Sequence, residues 1–109
     1  MELPNAKRAV VDPGKVRDYL LSQTHPVGRF KAAVFMALGY RRADWEVLRT
    51  DLLAIGRTGA AVHGPASPYG QKYEVDAILN GPSGRSARFR TVWIVVDGGP
   101  PSFVTAFPR

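Results

Sequence analysis

The chain contains no cysteine, which excludes disulfides and thiolate metal sites. It has only two histidines, His25 and His63, and the 37 residues between them form no metal-ligand spacing. No metal and no cofactor are therefore expected. Long apolar runs are also missing: none approaches the roughly 18 residues of a membrane-spanning helix, and the amino end lacks the apolar core of a signal peptide. The expectation is a cytoplasmic protein with no membrane partner. Acidic residues are scarce, nine Asp and Glu against fifteen Lys and Arg, and the resulting charge of +6 points to a polyanionic partner. Eleven of the fifteen cations are arginine. Their planar forks grip phosphate bidentately and stack on bases, so the balance leans towards nucleic acid.

At 109 residues the chain fits one domain, 1–109, and a domain of this size buries roughly 60 to 70% of its unfolded surface, enough for a core without staples. Residues 1–12 read as an arm ending in the apolar run Ala9-Val10-Val11. Asp12-Pro13 supplies an N-cap and a proline at the first helical position. Val16, Tyr19 and Leu20 then mark the buried stripe of a helix running to about Leu21. A second helix is expected from Pro26 to Leu38, burying Phe30, Val34, Ala37 and Leu38, with Gly39 as its left-handed cap. A third opens near Asp44, carries Trp45, Leu48, Leu52 and Ile55 on one face, and is expected to stop at Gly56.

After this helical part, 13–56, the period of the apolar residues falls towards two, and Gly/Pro clusters punctuate the chain. Residues 57–109 should form a sheet with strands at Ala60–Ala66, Lys72–Leu79, Ala87–Val96 and Phe103–Phe107. Connections of four or five residues imply an antiparallel meander. Tyr73, Val75, Ala77 and Leu79 share one face of the second strand, and Ala87, Phe89, Thr91, Trp93 and Val95 one face of the third. The third strand turns apolar on both faces after Thr91, so its carboxyl half is expected to be covered on both sides. The fold class is α+β: about three N-terminal helices packed on a C-terminal four-stranded antiparallel meander.

The segment His25-Pro26-Val27-Gly28-Arg29-Phe30-Lys31 carries the chemistry. With Pro26 at the first helical position, His25 is the N-cap, and the next N–H groups lack partners and can hold a phosphate. The positive end of the helix dipole keeps the imidazole available as a base. Lys31 lies four residues after Val27 on the same helical face, so its ammonium can lean back to the same anion. A base, a cation and free N–H groups are the parts needed to cleave RNA through its own 2′-hydroxyl. The plainer alternative makes His25 a helix cap, Lys31 a solvated side chain and Gly28 a close-packing residue. Thr91 either bonds inside the core or points into a cleft near this helix terminus. Tyr69, Lys72, Tyr73, Arg88 and Arg90 interleave aromatics and cations, as a surface that stacks bases and neutralises phosphates would. A solvated strand face has the same pattern. Arg88 and Arg90, like charges on one face, repel unless an anion lies over them. Trp45 and Trp93 are expected in the core, and His63, between Val62 and Gly64, reads as a satisfied or edge histidine in preference to a catalytic one.

The arm Leu3-Pro4-Asn5-Ala6, the segment Lys15 to Leu21, His25-Pro26-Val27-Gly28-Arg29-Phe30-Lys31-Ala32, Phe35, Leu38-Gly39-Tyr40, Trp45 and Arg90-Thr91-Val92-Trp93 together resemble an uncharacterised bacterial family with an HPxGxxKA motif. The likeness covers nearly the whole chain. That family is similar in turn to toxin ribonucleases of the barnase, EndoU, colicin and RelE-like fold group, whose members place helices before a four-stranded antiparallel sheet and cleave RNA without metal. The resemblance implies His25 as acid/base, Lys31 as transition-state cation and Thr91 as an orienting or phosphate-contacting hydroxyl. Gly28, Arg29, Tyr69, Lys72, Arg88 and Arg90 would contact RNA or phosphate. No second histidine stands ready to protonate the leaving group, for which Lys72 and Tyr69 are the remaining candidates.

The expected function is a toxin ribonuclease, acting in the cytoplasm or delivered there as part of a larger toxin, with RNA as substrate and an acidic antitoxin or immunity protein as partner. The rival is a non-enzymatic module that binds nucleic acid or protein through the same basic surface. A structural or phage-associated domain is a third possibility.

Overall fold

Asp12 accepts a hydrogen bond from the Gly14 N–H at 2.7 Å, and Pro13 follows it as the first residue of α1 (Pro13–Lys15). The computed structural model describes residues 1–109. After α1 the chain continues as a π-helical segment, Val16–Leu20, and buries Val16, Leu20 and Leu21 completely. Helix α2 spans Arg29–Ala37 with Gly28 as its N-cap, so it opens three residues later than Pro26, and His25 is not its cap but belongs to the turn before it. Gly39 follows with φ 98°, the left-handed conformation its position calls for. Helix α3 spans Trp45–Thr58 and buries Leu48, Leu52, Leu53 and Gly56. The third helix thus does not stop at Gly56. That glycine serves close packing, since a Cβ there would lie 2.6 Å from the Trp93 indole.

The remainder forms one sheet of four strands in the order β1 (Ala61–Ser67), β2 (Gly70–Asn80), β3 (Ser86–Val95) and β4 (Ser102–Pro108), each pair antiparallel. Helices precede a four-stranded meander, an α+β fold. The core lies between the helices and one sheet face, where Tyr73, Val75, Leu79, Phe89, Trp93 and Phe103 meet Leu20, Phe35, Leu48 and Leu52. Each of the large side chains fully withdrawn from water contributes about 1.5–3 kcal/mol. The opposite face is less covered than its apolar pattern suggests: Val92 and Ile94 are half-buried and Val96 is exposed.

Two expectations about helical faces change. Helix α2 buries Ala32 and Phe35 and, just beyond its end, Leu38, while Phe30 is 72% exposed and Ala37 is exposed. Residues 30, 34, 37 and 32, 35, 38 are both helical stripes, and packing against the Phe89 ring at 5.0 Å selects the one containing Phe35. Trp93 is fully buried, whereas Trp45 is half-buried beneath the Arg17 guanidinium.

The amino-terminal arm is part of the domain. Leu3, Ala6, Ala9 and Val11 enter the core. Val10 forms a parallel bridge with Ser102 at the outer edge of β4, donating to the Pro101 carbonyl and accepting from the Phe103 N–H, each at 2.9 Å. This pairing covers an edge that would otherwise present free backbone groups.

Candidate functional site

The turn between the π-helical segment and α2 is held by the ring of His25. Its Nδ1 accepts hydrogen bonds from the Val27 N–H at 3.0 Å and the Gly28 N–H at 2.9 Å. The Arg29 N–H reaches the His25 carbonyl and the Phe30 N–H the Val27 carbonyl. The backbone donors expected to hold a phosphate are therefore occupied within the turn. In the neutral ring an accepting Nδ1 places the proton on Nε2, so His25 meets its surroundings as a donor rather than a base. Gly28 is a packing residue: a Cβ there would lie 1.9 Å from the Tyr19 carbonyl oxygen. Tight contact between this turn and the preceding helix aligns the His25 ring edge-on to Tyr19, with centroids 5.0 Å apart.

Lys31, half-buried on the first turn of α2, points towards the sheet. Its Nζ donates to Thr105 Oγ1 at 2.5 Å and lies 5.2 Å from the centre of the Tyr19 ring and 5.9 Å from that of Phe107. Thr105 Oγ1 is also 3.0 Å from Tyr19 Oη. The irregularity in β4 makes this possible. Phe103 pairs with Trp93 on the core face, but the register shifts, and Thr105 pairs with Val92 on the other face. An unbroken alternation would have put residue 105 on the same side as Phe103.

Tyr19, His25, Val27 and Thr105, with Asp12, Lys15, Asp18 and Val104, line an open cleft of about 760 Å³. Burial works to raise the Tyr19 phenol's pKa, but the Lys31 ammonium and the Thr105 hydroxyl stabilise the phenolate, Lys15 adds its charge, and the balance falls below the usual tyrosine range. Of the two carboxylates at the rim, Asp12 caps α1 and Asp18 is bonded to Arg17 at 2.8 Å and Arg42 at 3.0 Å.

Thr91 does not belong to this cleft. It is 0% exposed, donates to the Val75 carbonyl at 2.8 Å and accepts from the Trp93 indole N–H at 2.8 Å. Its hydroxyl satisfies a buried tryptophan, and the threonine that meets Lys31 is Thr105. The remaining sites expected to contact RNA are dispersed. Arg29 is exposed over the Phe30 ring at 4.8 Å. Tyr69 is 79% exposed at the β1–β2 turn, and Lys72 is half-buried opposite Ile94. Tyr73, its neighbour in sequence, faces the core instead.

Arg88 is exposed, but Arg90 is bound at 2.8 Å and 3.1 Å to Asp76, directly opposite it on β2, with Glu74 at 3.6 Å. The anion that offsets the repulsion within the arginine pair is thus the protein's own. His63 is exposed on β1, its ring 4.9 Å from that of Tyr73. No group of three or more His, Asp or Glu side chains converges as metal ligands would.

An imidazole and a phenol on one open cleft beside β4, with the Lys31 ammonium against the phenol ring and the Thr105 hydroxyl, define an α+β fold with a polar site built from residues 12–31 and β4. The chain belongs to the family described as a domain of unknown function, DUF6883, whose profile matches residues 2–109. Its fold is similar to a chain of the contact-dependent growth inhibition toxin–immunity protein complex from Klebsiella pneumoniae 342, with a TM-score of 0.74 and 25% identity across 92% of this chain and 99% of that one. No curated protein matches the sequence.

Proposed function

We propose that this protein is a toxin ribonuclease that cleaves RNA at the cleft beside β4 and is neutralised by an acidic antitoxin or immunity protein seated over that cleft. The observation that carries the reading is the convergence of His25 and Lys31 on Tyr19, one through a ring contact at 5.0 Å, the other with its ammonium 5.2 Å from the ring centre. Likeness to a chain of a toxin–immunity complex supports a place in such a toxin–immunity pair, and the charge of +6 suits both an RNA substrate and an acidic partner. No helix is long and apolar enough to cross a membrane; the proposed site of action is a cytoplasm, reached by synthesis there or by delivery within a larger toxin.

The His25 Nε2–H is suited to donate to a nonbridging phosphate oxygen, while Lys31 offsets the charge that builds on the phosphorane. These groups need no metal ion for that purpose. Arg88 and Lys72 on the sheet, Arg29 on α2 and Tyr69 at the hairpin turn would engage flanking nucleotides. The test is incubation of purified protein with RNA in the presence of a chelator. Cleavage leaving 2′,3′-cyclic phosphate ends is expected, and His25→Ala and Lys31→Ala should each slow it by about 10²- to 10⁴-fold, the range for a proton-transfer or charge-stabilising group. Intact RNA under every condition, with or without added metal, overturns the reading.

The two backbone N–H groups that His25 Nδ1 accepts within the turn favour a second reading, a non-enzymatic module that binds nucleic acid or protein. In that case Lys31→Ala weakens binding and the wild type cuts nothing.

A further inference from the structure

We infer that Tyr19 accepts the proton of the attacking 2′-hydroxyl, and that Thr105 is the relay joining it to Lys31. The inference rests on the ribonuclease reading and supplies the second proton-transfer group that neither histidine provides. Elimination within the cleft leads to it. His25 has Nδ1 bound by two backbone N–H groups, which leaves Nε2 as a donor. An ammonium has no lone pair to offer, which rules out Lys31. Asp12 holds the start of α1, and Asp18 is bonded to two guanidinium groups. Tyr19 remains: the residue lines the cleft, and its Oη retains lone pairs and carries an exchangeable proton.

The hydrogen-bond chain has a direction. Lys31 can only donate, so Thr105 Oγ1 receives its N–H and is free to turn its own O–H towards Tyr19 Oη, 3.0 Å away. A donor aimed at the phenol oxygen, with a cation behind it, stabilises the phenolate. The ionisable groups facing Tyr19 are Lys31 from α2, Lys15 from its own helical stretch and His25 from the turn, with Asp12 and Asp18 at the rim; β4 contributes only the neutral Thr105. The charges that act on the phenol are those of Lys31 and Lys15, which with the hydrogen bonds outweigh burial and lower its pKa.

In the step itself the phenolate takes the 2′-hydroxyl proton as the 2′-oxygen forms a bond to phosphorus. The bond from phosphorus to the 5′-oxygen breaks, and the departing oxygen takes a proton from the Lys31 ammonium. The products are a 2′,3′-cyclic phosphate and a 5′-hydroxyl. Tyr19 is left as a phenol and Lys31 as an amine. Passage of a proton from Tyr19 through the Thr105 hydroxyl to Lys31 restores the starting pair.

Two measurements on the full chain test this. Ultraviolet difference titration of the four tyrosines should show one ionising ahead of the other three. That early phase should be absent in Tyr19→Phe and displaced to higher pH in Lys31→Met and Thr105→Val. Single-turnover cleavage of a dinucleotide RNA should have an acid limb that follows the same ionisation. Tyr19→Phe should lose about 10²- to 10⁴-fold in rate while retaining RNA affinity, and Thr105→Ser should preserve the profile that Thr105→Val shifts. A wild type that cleaves RNA but is matched by Tyr19→Phe in rate and pH profile overturns the role of Tyr19 alone. An early titration that persists in Tyr19→Phe does the same. A wild type that leaves RNA whole overturns the ribonuclease reading and this step with it.

Discussion

The Trp93 indole rests on the backbone of Gly56, so close that a Cβ on residue 56 would stand 2.6 Å from ring atom Cη2 and 2.7 Å from Cζ2. This contact sets how near α3 lies to the sheet. Gly56→Ala is therefore expected to destabilise the fold by about 1–3 kcal/mol through overpacking, even though alanine is the better helix former by about 1 kcal/mol. Urea unfolding checks it, and a more stable variant would contradict the close approach.

Thr91→Val should also act on stability alone. The substitution removes the acceptor of the Trp93 N–H and the donor to the Val75 carbonyl. A buried polar group without a partner costs about 1–3 kcal/mol. The unfolding midpoint should fall and, on the ribonuclease reading, RNA cleavage per folded molecule should stay unchanged. A stable but inactive variant would return Thr91 to the site.

Asp76 links the fold to acid. Its hydrogen bonds to Arg90 hold its carboxyl below the usual carboxylate range; burial opposes this, and Arg109 and Arg88 assist. A depressed folded pKa contributes stability that is fully present above the unfolded value, about 3.9, and is lost as pH falls through the folded value. Wild type should thus exceed Asp76→Asn in stability at neutral pH, and the gap should close below about pH 4. Thermal unfolding across that window measures it; a constant gap would assign the pair no linkage to protonation.

On the ribonuclease reading, Arg88 and Arg90, neighbours on one strand face, should behave differently towards RNA. Arg90 is neutralised by Asp76 and Glu74, whereas Arg88 makes no ion pair. Arg88→Ala should lower RNA affinity and flatten its salt dependence by about 0.7–1 in the log–log slope. Arg90→Ala should leave that slope nearly unchanged. Filter binding at several salt concentrations separates the two.

The strands were legible because their signals are local. Alternation sorts Tyr73, Val75 and Leu79 from Glu74 and Asp76, and Gly/Pro turns separate the runs. The start of α1 was legible for the same reason, Asp12 and Pro13 being adjacent. The inward face of α2 was not, because two apolar stripes compete and only the position of Phe89 decides between them. At the site, His25 and Lys31 lie within one stretch of chain and their spacing could be read directly. Tyr19 was visible only as one residue of a helical stripe, and Thr105 is 86 positions away from it. Thr91 and Thr105 both sit on strands among aromatics. The register shift in β4 turns one hydroxyl out of the core while the other stays in, and an irregularity of that kind has no alternation signature.

The bridge between Val10 and Ser102 bears on the order in which the cleft is assembled. Tyr19, His25 and Lys31 leave the ribosome well before β4, and until that strand docks between β3 and the arm there is no Thr105 to meet Lys31 and no far wall to the cleft. A growing chain carries these side chains without their arrangement. On the ribonuclease reading, the ribosome making this protein is spared by topology: the cutting site is assembled from the first third of the chain and its last strand, so it comes into being only when synthesis has passed both.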